Sequence, residues 1–337
     1  MWVTYDRFAG ARQAVLVRHE AAREAAGGRG DGGDAIAEGA GVPERTDTDS
    51  PAAVGRARDG KKKTILDYEV METIGEGAYG FVKHVVRRGD AGRRVYVLKY
   101  VIKTRILVDT WIRDRELGSI PQEIHVLNYL RKHPHPCVCR MTEYFEDEEY
   151  YYVEMARHGV GMDLFDYIEF NQNMSEGEIK HVFHQVALAV QHLHRHSIVH
   201  RDIKDENIIL DEHNNVQLID FGSSAYYREG KKFDTFCGTL DYAAPEVLTG
   251  HKYDGPPQDI WALGILLYTL IYKENPYYNI DEIIGRALRI PFVLSRESLD
   301  LIQFVLNRDV HQRPTIDQVL AHPWFRAKPN PDHSATR

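Results

Sequence analysis

The stretch "IVHRDIKDENIIL", from Ile198 to Leu210, sets a dense polar loop between two apolar runs. His200, Arg201, Asp202, Lys204, Asp205, Glu206 and Asn207 fall within it. A solvated turn would explain the polarity but not the H-R-D-x-x-x-x-N spacing. A short way on, "VQLIDFGSSAYY" places Asp220 after an apolar strand and before Gly222. Asn207 and Asp220 together offer two oxygen ligands suited to a hard cation such as magnesium. Asp202 supplies a carboxylate able to orient an attacking hydroxyl. Lys204 supplies a charge able to neutralise a moving phosphoryl group. Phosphoryl transfer asks for this set and little covalent chemistry besides.

A second stretch, "TIGEGAYGFVKHV", carries Gly75, Gly77 and Gly80 as G-x-G-x-x-G. That spacing occurs at dinucleotide sites and in glycine-rich hairpins that cover phosphates. A dinucleotide fingerprint needs a helix to begin at the glycines, with its N-terminus facing the pyrophosphate. It also wants an acid about 20 residues on, for the ribose. Here the β-branched "FVKHVVRR" follows, and the residue nearest that distance is Lys99, inside the apolar "VYVLKYVI". Both conditions fail, which argues against a nicotinamide-dependent oxidoreductase. A hairpin of strand, glycines and strand fits instead. Without side chains, its backbone N–H groups can approach phosphate oxygens closely.

The elements that must hold these groups divide into two sets. "YEVMETIG", "FVKHVVRR", "RVYVLKYVIK" and "YYYVEM" read as strands, with the turn signal "GDAG" between the second and third. Among them "SIPQEIHVLNYLRKH" reads as a helix: Ile124, Leu127 and Leu130 recur at helical spacing, and Pro121 suits its start. After the strands come helices over "LFDYIEFN", "SEGEIKHVFHQVALAVQHLHRH", "IWALGILLYTLIY" and "SRESLDLIQFVLN". A β-rich front and a helical back imply two lobes joined near Ala156, Arg157 and His158. Residues 1–60 are rich in Gly, Ala, Asp and Arg and poor in large apolar side chains, so disorder is expected there.

At this point the sequence resembles the eukaryotic protein kinases, over about residues 65–326 and in motif order. "IGEGAYGFV" is similar to their glycine-rich loop. "YVLK" stands in the place of their small-lobe lysine, Lys99, and Glu123 in "PQEIHVL" in the place of the helix glutamate that pairs with it. "HRDIKDEN" and "DFG" resemble the catalytic and magnesium loops. "APE", ending at Glu246, closes an activation segment, with Arg313 placed to pair with Glu246. Asp259 resembles the buried aspartate that anchors the catalytic loop. The resemblance implies an α+β, bilobal fold: a five-stranded antiparallel sheet with one helix over about 65–155, a hinge at 156–158, a helical lobe over 159–326 and a tail to 337. It implies ATP and magnesium as co-substrate and cation. The implied nucleotide contacts are Ile74, Gly75, Glu76, Gly77, Ala78, Tyr79, Gly80, Phe81, Val82 and Lys99, with Met155, Ala156 and His158 at the hinge. The implied catalytic set is Asp202, Lys204, Asn207, Lys99 and Glu123, with Asn207 and Asp220 on the metal. Lys204 two residues after Asp202, and Thr239 in "FCGTLDY", are similar to serine/threonine kinases, so protein substrates with serine or threonine acceptors are expected.

"DTWIRDRELGSIPQEIHVL", "RHGVGMDLFDYI", "LIDFGSSAYYREGKKFDTFCGT" and "ENPYYNIDE" resemble the catalytic domain of PAS-domain kinases, a nutrient-sensing branch. Those proteins carry sensor domains before the kinase domain. About 60 residues precede it here, too few for such a domain, so a fragment, a truncated gene model or a lineage that lost the sensor is expected. By the resemblance, Thr235 is the activation-loop phosphosite, and Arg201 could pair with its phosphate. Glu206, Asp163 and Glu274 lie where related kinases recognise basic residues upstream of the acceptor. Asp163 could equally bond the ATP ribose, and Thr239 lies beside the acceptor. The rival reading is a catalytically inactive kinase-fold scaffold, which predicts losses among Lys99, Asp202 and Asp220; all three are present.

The remaining features read plainly. A net charge of −8 disfavours general binding to nucleic acid. The longest apolar run, Ile260 to Tyr272, falls short of the ~20 residues that span a bilayer and reads as a core helix, so no membrane partner is expected. "HPHPCVCR" holds His133, His135, Cys137 and Cys139 on one short segment, poorly spaced to wrap a tetrahedral zinc ion. Cys237 reads as a packing residue and Tyr150 to Tyr152 as strand. Three cysteines in 337 residues fit a reducing compartment, and a cytoplasmic protein, with the nucleus also open, is expected.

Overall fold

The computed structural model describes residues 63–327, together with the pair Val17–Arg18. The expectations for residues 1–60 and for the tail lie outside the described residues, apart from that pair and Ala327. Strand β1 (Tyr68–Gly77) turns at Ala78 and Tyr79 into β2 (Gly80–Arg87), and β3 (Val95–Ile102) follows. A small hairpin of β4 (Trp111–Asp114) and β5 (Gly118–Pro121) leads directly into helix α1 (Gln122–Lys132). Strands β6 (Met141–Glu146) and β7 (Tyr150–Ala156) complete an antiparallel sheet of order β1-β2-β3-β7-β6. The five-stranded sheet with one helix is the expected small lobe. The fifth strand is β6, whose polar "MTEYFE" carried no clear alternation.

Strand pleating decides which side chains meet. Lys99 of β3 lies opposite Val82 of β2 on one side and Val153 of β7 on the other, so these three share a face. Tyr96, Leu98 and Tyr100 take the alternate face and form a separate cluster with Tyr68, Val85, Phe145 and Tyr152. Helix α1 packs by Ile124, Leu127 and Leu130 into the main core, which continues through the helical lobe.

That lobe contains α2 (Leu164–Phe170), α3 (Glu176–Arg195), the short strands β8 (Ile208–Leu210) and β9 (Val216–Leu218), and α4 (Gly255–Tyr272), α5 (Arg296–Val305) and α6 (Ile316–Ala321). Helix α3 starts at a capping box: the Ser175 hydroxyl accepts from Glu178 N–H, and the Glu178 carboxylate accepts from Ser175 N–H at 2.7 Å. Helix α4 is apolar on every side because it is buried on every side, Trp261, Leu263 and Leu267 among the fully covered residues. Each such large side chain contributes about 1.5–3 kcal/mol. No helix among the described residues is long and apolar enough to cross a membrane.

Candidate active site

The β8–β9 hairpin sets the two chemical loops side by side: Asn207 immediately precedes β8, and Asp220 closely follows β9. The Asn207 carbonyl accepts from Ile219 N–H at 2.9 Å, which locks one loop to the other. The Asn207 side-chain amide donates to the Asp202 backbone oxygen at 2.8 Å and to its carboxylate at 3.0 Å. Its amide nitrogen is thereby engaged twice. The other Asp202 carboxylate oxygen accepts from the Thr239 hydroxyl at 2.9 Å. Thr239 is buried. The sequence reading put it with the substrate contacts; its position is that of a strut holding Asp202.

The loop carrying Asp202 is strained, with Arg201 at φ +65°. Asp259, fully buried on α4, holds it in place. Its carboxylate accepts from His200 N–H at 3.0 Å and from Arg201 N–H at 2.8 Å, and meets His194 Nε2 at 2.9 Å. The activation segment then closes over the same loop. Gly238, at φ +132°, leaves no room for a side chain: a Cβ there would lie 2.4 Å from the Arg201 carbonyl oxygen. The Tyr242 hydroxyl donates to Asp205 at 3.0 Å, and Gln258 binds Ala244 N–H and the Tyr242 carbonyl oxygen. Tyr242, Gln258 and His194 were not singled out from the sequence, because nothing local marks a partner more than ten residues away. Glu246 and Arg313 pair as expected, fork to fork at 2.7 and 2.9 Å, with the Arg313 side chain fully covered.

Across the cleft, the Lys99 ammonium donates to Glu123 at 2.5 Å and to Asp220 at 2.8 Å. Burial works against the charge on Lys99, but Asp220 and Glu123 outweigh it and hold its pKa above the ordinary lysine value. Beside Lys99 the Asp220 carboxyl is pulled down to about 2, helped by Gly222 N–H, so it stays ionised at any physiological pH. Burial pushes the Glu123 carboxyl up, against the pull of Lys99. Lys204 lies in the field of Asp202, Glu206 and Asp220; burial lowers its pKa and these three together raise it above the usual value. The donor types suit magnesium: an amide oxygen from Asn207 and a carboxylate from Asp220.

The glycine hairpin forms as expected, with Gly75 opposite Val82, Glu76 opposite Phe81 and Gly77 opposite Gly80. Open space surrounds the Cβ positions of Gly75 and Gly77, whereas a Cβ at Gly80 would strike the Tyr100 carbonyl oxygen. The tip is tied down through Tyr79 and Ala78, whose carbonyls accept from Ile102 N–H at 2.9 Å and Arg105 at 3.2 Å. Val82 faces the site with Lys99, while Ile74 and Glu76 are exposed on β1. Phe81 does not face the site: its ring stacks on Tyr100 at 4.5 Å, on the sheet face opposite Lys99. Met155, opposite Val97, lies on the face of Lys99, with Ala156 next along the strand. His158 is held by the helical lobe, its Nε2 at 2.7 Å from the Asn215 carbonyl oxygen. Asp163 caps α2, accepting from Asp166 N–H at 2.8 Å.

The residues expected to read substrates are not idle. Glu206 pairs with Lys204 at 2.7 Å, and Glu274 with Arg289 at 2.6 Å. The structure does not bring Arg201 to the Thr235 hydroxyl. The guanidinium lies over the Phe233 ring, 4.7 Å from its centre, and Nε donates to the Ser223 carbonyl oxygen at 2.7 Å.

Comparison with known proteins agrees with this geometry. Residues 68–325 match the family model for the protein kinase domain. The chain is 52% identical over 261 residues to serine/threonine-protein kinase ppk6 of Schizosaccharomyces pombe, covering 77% of this chain and 33% of that protein. It is 51% identical over 268 residues to serine/threonine-protein kinase PSK2 of Saccharomyces cerevisiae, covering 78% of this chain and 24% of the relative. With the PAS domain-containing serine/threonine-protein kinase of Mus musculus the identity is 40% over 257 residues, or 76% of this chain and 18% of the relative. The chain thus spans a third or less of the length of these relatives. A matched domain model and a cleft built around Lys99, Asp202 and Asp220 lead to one conclusion: the chain belongs to the protein kinase domain family.

Proposed function

We propose that the chain transfers the γ-phosphoryl group of ATP to serine or threonine hydroxyls of protein substrates. One observation carries this reading: the Asp202 carboxylate is held by Asn207 on one oxygen and Thr239 on the other, so its orientation is fixed before any substrate arrives. Asp202 orients the acceptor hydroxyl and takes up its proton. Lys99 and Lys204 offset charge on the phosphates. Asn207 Oδ1 and Asp220 would hold magnesium, which supplies further charge neutralisation there. The likeness to the yeast and mouse kinases supports a place in the PAS-kinase branch.

Glu206, Glu274 and Asp163 favour substrates with arginine or lysine upstream of the acceptor. Since Glu274 is already paired with Arg289, a substrate arginine joins or displaces that pair. Labelled ATP with paired peptides tests both levels. A peptide with upstream arginines should be phosphorylated with about fivefold higher kcat/KM than its alanine twin, the size expected of partly exposed charge pairs. Equal rates would remove the basic preference. No transfer to either peptide would leave the scaffold reading.

A phosphate on Thr235 would offer Arg201 a stronger partner than the Phe233 ring. Thr235→Ala should then lower the activity of the phosphorylated protein, read as initial rate before and after phosphatase treatment. Identical rates for Thr235→Ala and wild type would rule out this regulation.

A further inference from the structure

A second concavity lies where the edge of the sheet meets the hinge. It is a cavity of about 510 Å³ whose lining includes Arg87, Arg94, Tyr96, Arg131, Arg140 and Arg157, with Ala156 of the hinge beside them. These residues come from four places in the chain: the end of β2, the start of β3, the end of α1 with the loop after it, and the hinge. Five arginines meet here although the whole chain carries −8. Arg87 is committed, forked onto the buried Glu154 and stacked on Tyr96. The other four lie exposed, and among the described residues none has a carboxylate within ion-pair distance. Arg131 and Arg157 donate only to the backbone carbonyls of Thr142 and Val160. The nearby acids are occupied: Glu143 by Lys63, Glu154 by Arg87 and Lys63, and Glu72 by His84.

We propose that this cavity is a docking site for a phosphorylated serine or threonine on a partner polypeptide. Planar guanidinium groups lining one cavity, with the nearby acids already paired, match a phosphate dianion, which accepts forked, charge-assisted hydrogen bonds. The volume lies within the ~300–1,000 Å³ of pockets that hold whole ligands. A membrane surface fits less well. Interfacial binding couples basic residues to exposed apolar ones that insert, and none of the exposed large apolar side chains lines this cavity. The site would tether a partner that has already been phosphorylated.

Binding is measured on the full chain, without ATP, by fluorescence anisotropy of degenerate peptides with a fixed central phosphoserine or phosphothreonine. The expected result is binding that weakens with salt, is absent for unphosphorylated twins, and falls about tenfold or more for each arginine removed. Arg94→Glu/Arg140→Glu should abolish it while kcat/KM on a short unphosphorylated peptide stays at the wild-type value. That double variant alters two exposed side chains without ion-pair partners, so its unfolding midpoint should match wild type. Three results overturn the proposal: no difference between phosphorylated and plain peptides; free phosphoserine binding as tightly as the peptides; or binding to vesicles containing phosphatidylinositol phosphate with none to peptide.

Discussion

Asp220→Ala should reduce kcat for phosphoryl transfer by about a thousandfold or more while leaving the fold intact. Removing a single preorganised electrostatic group from an active site costs about a hundred- to a thousandfold. Asp220 is the partner of Lys99 and, in the proposed function, would also be a magnesium oxygen. Without it, Lys99 keeps Glu123 alone as its partner. Thermal melting should change little, because the Asp220 side chain is 46% accessible and its pairing is with the site rather than the core. Single-turnover transfer from labelled ATP measures the effect. A variant within tenfold of wild type would show that Asp220 is dispensable and that the proposed chemistry is wrong.

Asp259→Ala should damage both stability and catalysis. The buried carboxylate satisfies two backbone N–H groups and faces His194. Its loss leaves both N–H groups buried without partners and frees Arg201 from its left-handed backbone. Breaking a buried charged network of this kind costs about 3–5 kcal/mol, which for a domain of this size lowers Tm by about 10 °C. Asp259→Asn keeps the shape and one acceptor oxygen. It should lose less stability but still lower kcat, since one N–H of the catalytic loop goes unanswered. Calorimetry and steady-state kinetics on the two variants separate the effects. Wild-type kcat in a stably folded Asp259→Asn protein would show that the anchor matters for folding alone.

The catalytic loop and the DFG loop were legible because their chemistry is written in short, fixed spacings: Asp202 to Asn207, and Asp220 to Gly222. The glycine hairpin was legible for a different reason, the strand-like residues that follow Gly80. The fold class came with the order of these motifs and the shift from strand to helix. What sequence alone could not supply was register and remote pairing. Phe81 turns away from the nucleotide face because it lies opposite Tyr100 rather than Lys99. The alternation from Val82 contains that information only once the β2–β3 register is known. Thr239 reaches Asp202 from across the activation segment, Arg289 claims Glu274, and Asn215 claims His158. Each depends on chain segments brought together by packing, and no local pattern records them.

The division of the apolar interior has a dynamic consequence. Helix α1, with Glu123, shares its core with the helical lobe; β1 and β2 join the tyrosine-rich cluster on the far face, and β3 enters both, through Val101 on one side and Tyr96, Leu98 and Tyr100 on the other. Sub-global opening follows such boundaries. The glycine hairpin can therefore breathe with the outer sheet while Glu123 remains seated with the large lobe. Lys99, carried on β3 and bonded to Glu123 and Asp220, sits at that boundary and couples its two sides.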